Sequence, residues 1–98
     1  MLFLSSRSLI VHRDALGYGL TLSGDKPVFV QTVRQGGAAS RAGIRENDVI
    51  IRVNGTRVTE STHNEVVHQI QGKTQKTILF SLFSFYAVRG TQYPEKPT

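Results

Sequence analysis

The sequence predicts a mainly β fold carrying a short and a longer helix, in the order strand, strand, strand, short helix, strand, strand, helix, strand. Three observations carry the prediction. In "GLTLSG", Leu20 and Leu22 alternate with Thr21 and Ser23, the period of a half-buried strand. "NDVIIRVNGTRV" runs apolar to Val53 and then meets Asn54-Gly55, the favoured pair for a two-residue hairpin turn. Thr62 and Glu65 have the T-x-x-E spacing in which hydroxyl and carboxylate satisfy orphan backbone donors at a helix start. At 98 residues the chain suits one core, and no second domain is expected.

Each element follows from its residues. "SLIVHR", 8–13, is apolar and β-branched enough for a strand, and the turn formers of "DALGYG" interrupt it. A strand over 19–24 follows. "GDKP" turns the chain into "VFVQTV", 28–33, where Val28, Val30 and Val33 fill the next strand. "GGAASRAGI" allows a short helix around 38–42, closed by Gly43 in a left-handed conformation. After the Asn54-Gly55 hairpin, the longer helix starts at His63, runs through "HNEVVHQIQ" and stops at Gly72. His63, Val67 and Ile70 stand at i, i+4 and i+7, one stripe on one face. "KTILFSLFSF" closes the sheet, and "RGTQYPEKPT" reads as a polar tail. "MLFL" is too short for a signal segment, and the 78–88 apolar run, with two serines, is about half a membrane span.

Composition narrows the chemistry. An apolar fraction of 39% with 19% charged residues fits a globular chain, and the absence of cysteine excludes disulfides and thiolate metal sites. The net charge of +5 favours acidic partners at long range. Arg7, Arg13, Arg34, Arg41, Arg45, Arg52 and Arg57 are scattered, however, and no nucleic-acid module is spelled out, so they read as a solvated surface. The glycine turn is no dinucleotide fingerprint: from Gly17 and Gly19 the third glycine position is Leu22, and a strand follows. "GKT" at 72–74 lacks the P-loop glycine, because position 67 is valine. His63 and His68 are five apart, about 140° around a helix, and cannot share a zinc ion. No serine sits in a nucleophile elbow. Neither catalysis, metal nor cofactor is expected.

What remains is the turn itself. Consecutive backbone N–H groups in a tight turn form a concave donor set, which suits a carboxylate as well as a phosphate. If the next strand keeps an open edge, an extended peptide can pair with it and deliver its terminal carboxylate to the turn. The opposite wall requires a helix with an apolar stripe and a polar group at its start, which His63, Val67 and Ile70 supply.

Taken together, "GYGL" at 17–20 with "TLSG", then "GGAASRAGIRENDVIIRVNGTRV" and "THNEVVHQI", resemble a PDZ domain over residues 8–84, leaving 1–7 as an N-terminal extension and 85–98 as a tail. The resemblance implies a partly open five- to six-stranded antiparallel barrel or sandwich capped by the two helices. It implies a non-catalytic module that binds C-terminal peptides by strand addition between 19–23 and 63–71. Gly17, Tyr18, Gly19 and Leu20 then form the carboxylate loop, with Arg13 assisting through ordered water. Leu20, Leu22, Val67 and Ile70 line the pocket for the last ligand side chain, beside Tyr18. Thr21 and Ser23 tune selectivity, and His63 accepts a hydrogen bond from a Ser or Thr two residues before the ligand terminus. Ligands ending Ser/Thr-x-aliphatic are expected. Leu20 stands where the family frequently has phenylalanine, and Phe83, Phe85 and Tyr86 give the last strand more aromatic character than a PDZ terminus needs.

Within the family, "SGDKPVFVQTVRQGGAASRAGI" and "VNGTRVTESTHNEVV" are most similar to the PDZ domains of Rho guanine-nucleotide exchange factors that carry an RGS-like region. That likeness implies a cytoplasmic monomer recruited to the plasma membrane by the C-terminal tails of receptors or other signalling proteins. The alternative is a surface that contacts anionic lipid or associates with itself, and no nucleic-acid partner is expected.

Overall fold

The alternating segments form six strands of one antiparallel sheet, and the two helices pack against it. The computed structural model describes residues 2–72 and 76–87. In chain order the elements are β1 (Leu2–His12), β2 (Leu20–Ser23), β3 (Phe29–Val33), α1 (Ala38–Ala42), β4 (Val49–Val53), β5 (Thr56–Arg57), α2 (His63–Ile70) and β6 (Thr77–Ala87). The strand order is β1-β6-β4-β3-β2, with β5 paired to β4 alone. Among the described strands the sheet is open: β1 and β2 are its two edges, and β2 faces α2.

Local chemistry explains the element boundaries. Asn54 (φ 51°) and Gly55 (φ 82°) both take the left-handed conformation that the tight β4–β5 hairpin demands. Gly43 ends α1 at φ 102°, its N–H donating to the Ser40 carbonyl at 3.1 Å. At the start of α2, Glu65 N–H donates to Thr62 Oγ1 (3.2 Å) while Thr62 N–H donates to Glu65 Oε1 (2.7 Å), a complete capping box. The helix stops at Ile70, with Gln71 as its cap at φ −88°, so Gly72 lies just beyond the last turn rather than inside it.

The core is a single cluster in which Val11, Val28, Val30, Ile50, Val66 and Phe80 are fully buried. β1, β3, β4 and β6 turn buried side chains into it, β2 packs Leu20 and Leu22 against it, and the exposed β5 contributes none. α2 contributes Val66 to this core and turns the neighbouring stripe of Val67 and His63, both half-buried, toward β2.

The largest departure from the sequence reading is at the chain start. β1 begins at Leu2, not residue 8, and pairs with β6 without interruption from Leu2↔Ala87 to His12↔Thr77. Three polar residues, Ser5, Ser6 and Arg7, hide this strand from a search for apolar runs. Arg7 is not the solvated surface charge expected. Its guanidinium donates to Asp48 Oδ2 (2.6 Å), the Gly43 carbonyl (2.8 Å) and Ser84 Oγ (2.9 Å), and the Asp48 side chain is only 3% exposed. β6 likewise continues through Phe85 and Tyr86 to Ala87, so the aromatic segment extends the sheet. The polar tail and the end of "GKT" lie outside the described residues.

Candidate functional site

Between β2 and α2 runs a groove made of two adjoining cavities. One, about 290 Å³, is lined by Leu20, Thr21, Leu22, His63, Val67, Ile70 and Gln71. The other, about 240 Å³, is lined by Arg13, Gly17, Tyr18, Leu20, Ile70 and Gln71. Leu20, Ile70 and Gln71 belong to both, so the cavities form one trough that ends at the glycine turn.

The turn's donors are aimed by their own carbonyls. The carbonyls of Gly17, Tyr18 and Gly19 accept from the N–H groups of Asp14 (3.2 Å), Ala39 (2.8 Å) and Arg34 (2.8 Å). A planar trans peptide sets its N–H opposite its C=O. The N–H vectors of Gly19 and Leu20 are therefore directed away from α1 and from the end of β3, and that of Tyr18 away from Asp14. Leu20 lies opposite Val33, and its backbone faces the open edge of β2.

Glycine is required at position 19. Its φ is +77°, and a Cβ there would meet Arg34 Nη2 at 3.3 Å and the Gly37 Cα at 3.4 Å. Gly17, at φ +97°, needs the same freedom and has open space around it. Asp14 pins the base of the turn: it exchanges backbone hydrogen bonds with Gly17 and accepts Leu16 N–H on Oδ1 at 2.8 Å. Its carboxylate also meets Arg41 (3.3 Å) and Arg34 (3.7 Å), both substantially exposed. The Leu16 N–H bond is the main cause that holds the Asp14 carboxyl below the usual carboxylate range; burial opposes it, and Arg41 and Arg34 add to the lowering. At the other end of the trough, the Thr62 N–H bond lowers the Glu65 carboxyl in the same way.

The Tyr18 ring is buried under the turn, and Arg13 Cζ stands 6.0 Å from its centroid. Burial pushes the phenol pKa up, and the Arg13 charge opposes that shift. Arg13 thus sits beside the donor set with its charge facing the trough.

The predicted site residues therefore converge, with one exception. Arg13, Gly17, Tyr18, Leu20, Thr21, Leu22, His63, Val67 and Ile70 line the trough, and Gly19 shapes the turn. Ser23 pairs with Phe29 at the end of β2, outside both cavities. Thr21 bonds Thr32 through their hydroxyls, next to a register shift that leaves Gln31 unpaired on β3. Asp14, Ala39 and Gln71 were not read as site residues. Asp14 had a legible signal, an aspartate opening a four-residue turn whose side chain accepts the N–H two residues on. Ala39 acts through its backbone alone, and no sequence signal marks it. A further cavity of about 360 Å³ crosses the β2–β3 hairpin, bounded by Leu16, Thr32 and Arg34.

Known proteins place this architecture. The family profile of the PDZ domain matches residues 8–80. Human Rho guanine nucleotide exchange factor 11 is 46% identical over 96 residues, 96% of this chain and 6% of that protein. Mouse Rho guanine nucleotide exchange factor 12 is 56% identical over 68 residues, 69% of this chain and 4% of that protein. The chain thus spans a small fraction of the length of either relative. A solved structure described as the PDZ domain of a choanoflagellate SHANK1 bound to a GIRK3 peptide superposes with a TM-score of 0.79 at 28% identity, covering 84% of this chain and 94% of that one. A sheet edge facing an amphipathic helix, an oriented N–H turn and these matches converge on one conclusion: the chain belongs to the PDZ family, whose fold is a protein-interaction module.

Proposed function

We propose that this chain binds the free C-terminus of a partner protein as an added strand along β2, with selectivity for Ser/Thr-x-aliphatic endings. The single observation that carries the reading is the orientation of the Tyr18, Gly19 and Leu20 N–H groups at the closed end of a trough whose side is an unpaired strand edge. A terminal carboxylate supplies acceptors for those donors, with Arg13 as its nearby positive charge. An aliphatic last side chain fits among Leu20, Leu22, Val67 and Ile70. His63, which opens α2 and lines the trough, accepts the hydrogen bond of a hydroxyl two residues before the ligand's end, while Thr21 and Ser23 of β2 border the incoming strand.

The names of the relatives support a place in Rho signalling. The module then docks a larger exchange factor, from the cytoplasm, onto the tail of a membrane receptor. A short peptide loses much conformational freedom for little contact area, so the affinity expected is about micromolar.

An NMR titration of labelled protein tests the reading. A peptide ending Thr-x-Val is compared with the same peptide amidated at its C-terminus. Shifts at 17–23 and 63–70 with the free acid alone are expected. An equal response to both peptides, or to neither, overturns the carboxylate reading and favours the contact with anionic lipid.

A further inference from the structure

The other edge of the sheet is open as well. Backbone hydrogen bonds at the end of β1 fix which of its groups face outward. Arg13 N–H donates to the Lys76 carbonyl at 2.7 Å, one step beyond the His12↔Thr77 pair, so the odd-numbered residues of β1 direct their N–H and C=O toward β6. β6 agrees. The Leu79 carbonyl accepts from Asn54 N–H (2.8 Å) and Leu79 N–H donates to Asn54 Oδ1 (2.9 Å), so its odd residues turn away from β1. The even-numbered residues of β1, Leu2 to His12, therefore present their backbone donors and acceptors at an edge that pairs with no described strand.

Among the described residues α1 stands beside one end of this edge, next to Ile10 and His12, and the strand itself lacks the usual features that discourage pairing. Natural edge strands are usually blunted by proline, lysine, a bulge or shortness. β1 is 11 residues long and has no proline or lysine, and its register with β6 is unbroken, whereas β2–β3 and β4–β6 both shift. Its one arginine, Arg7, is committed to Asp48. The outer side chains include Leu4 (53% exposed) and Ile10 (57% exposed). Beside Ile10 lies a cavity of about 200 Å³ formed with His12 and with Ala38, Arg41 and Ala42 of α1.

We propose that β1 pairs antiparallel with β1 of a second copy about a two-fold axis near Arg7. Only an axis there brings all the outward-facing residues into register: Leu2 opposite His12, Leu4 opposite Ile10 and Ser6 opposite Ser8, each copy contributing both partners. Each such pair exchanges two backbone hydrogen bonds. The partner's Leu4 then lies next to Ile10, at the mouth of the cavity against α1, and the symmetric contact repeats at the other end. The knob and its hole stand on the same strand about 20 Å apart, six residues at the strand rise, so the surface is complementary to itself. β2, at the far edge of the sheet, stays free in both copies. Self-pairing is therefore independent of peptide binding, and it sets two grooves on one particle, which raises avidity for clustered tails.

One strand edge is a small interface, so a dissociation constant of about 0.1–1 mM is expected. Sedimentation and labelled-protein NMR on the 98-residue chain, from tens of micromolar to 1 mM, test the proposal. The weight-average mass is expected to rise from 10.9 kDa toward twice that value, with amide shifts confined to residues 2–12 and α1. Ser6→Pro removes an outward donor and no β1–β6 bond, and Leu4→Lys charges the knob. Either should raise the dissociation constant at least about tenfold, and circular dichroism shows whether each variant stays folded. The chain has no cysteine, so mixing Leu4→Cys with Ile10→Cys chains under oxidation should give a crosslinked dimer that neither yields alone. A mass that stays at 10.9 kDa throughout, or association that the folded Leu4→Lys variant leaves unchanged, overturns the proposal.

Discussion

Replacing Arg7 by methionine keeps the aliphatic bulk of the side chain and removes the only cation that reaches Asp48 among the described contacts. Asp48 then retains the Arg45 N–H bond at 3.0 Å but remains a buried carboxylate, and the Gly43 carbonyl and Ser84 Oγ each lose a donor. Breaking a fully buried pair from one side costs about 3–5 kcal/mol. The Arg7 side chain is 21% exposed, so water recovers part of this, and a loss of about 2–3 kcal/mol is expected. In a domain of this size that lowers the melting temperature by roughly 10–20 °C. Urea unfolding followed by circular dichroism measures the loss, and an Arg7/Asp48 double-mutant cycle isolates the pair, with a coupling of about 1 kcal/mol or more. Deleting residues 1–7 should destabilise at least as much. A change below about 0.5 kcal/mol for Arg7→Met, the usual range of a surface substitution, would refute the claim that residues 2–7 belong to the folded sheet.

The remaining predictions concern the trough and its supports. His63→Ala should weaken a Thr-x-Val peptide about tenfold and leave a peptide with alanine in place of the threonine nearly unchanged, by isothermal calorimetry; equal losses for both would remove His63 from selectivity. Asp14→Ala should loosen the 14–17 turn and reduce peptide affinity several-fold with little change in urea midpoint, because its partners are exposed arginines and a turn N–H. Gly19→Ala is expected to cost about 1 kcal/mol or more in stability, since it forces a side chain to φ +77° against Arg34 and Gly37. Thr62→Ala should cost about 1 kcal/mol by removing the helix cap. Because the folded Glu65 and Asp14 pKa values lie below their unfolded ones, their contribution is complete above pH 5 and fades as pH falls through the folded values. Melting curves between pH 6 and 2 should show that loss, and Thr62→Ala should reduce the share due to Glu65 without abolishing it, because the backbone N–H at position 62 remains.

What was legible in the sequence had local causes. The Asn54-Gly55 hairpin, the Thr62/Glu65 capping box and the Gly43 stop are each specified within a few residues, and each appears where the residues put it. The trough residues were legible for a related reason: the alternation in β2 and the 63/67/70 stripe in α2 are periodic, and both faces turn toward the same space. β1 before residue 8 was not legible. Its strand character comes from pairing with β6, more than 70 residues away at the Arg7–Ser84 contact, and two serines with an arginine carry no apolar signal of their own. Arg7 and Asp48 are 41 positions apart, and only the fold makes a buried pair of them. Ser23 ends β2 opposite Phe29 and lies outside both cavities; alternation alone does not say where along a strand the trough stops.

The 11-residue ladder of β1 with β6 places Leu2 directly beside Ala87. Chain entering and leaving the domain therefore does so at one point, like the two leads of a pendant. If the flanking segments are pulled apart, tension acts across the ladder and not along it, and its hydrogen bonds are loaded one pair at a time from Leu2↔Ala87 inward. Such a domain should unzip under low force, and Arg7, with its hold on Gly43, Asp48 and Ser84, is the first side-chain clasp among the described contacts that the advancing tear would reach.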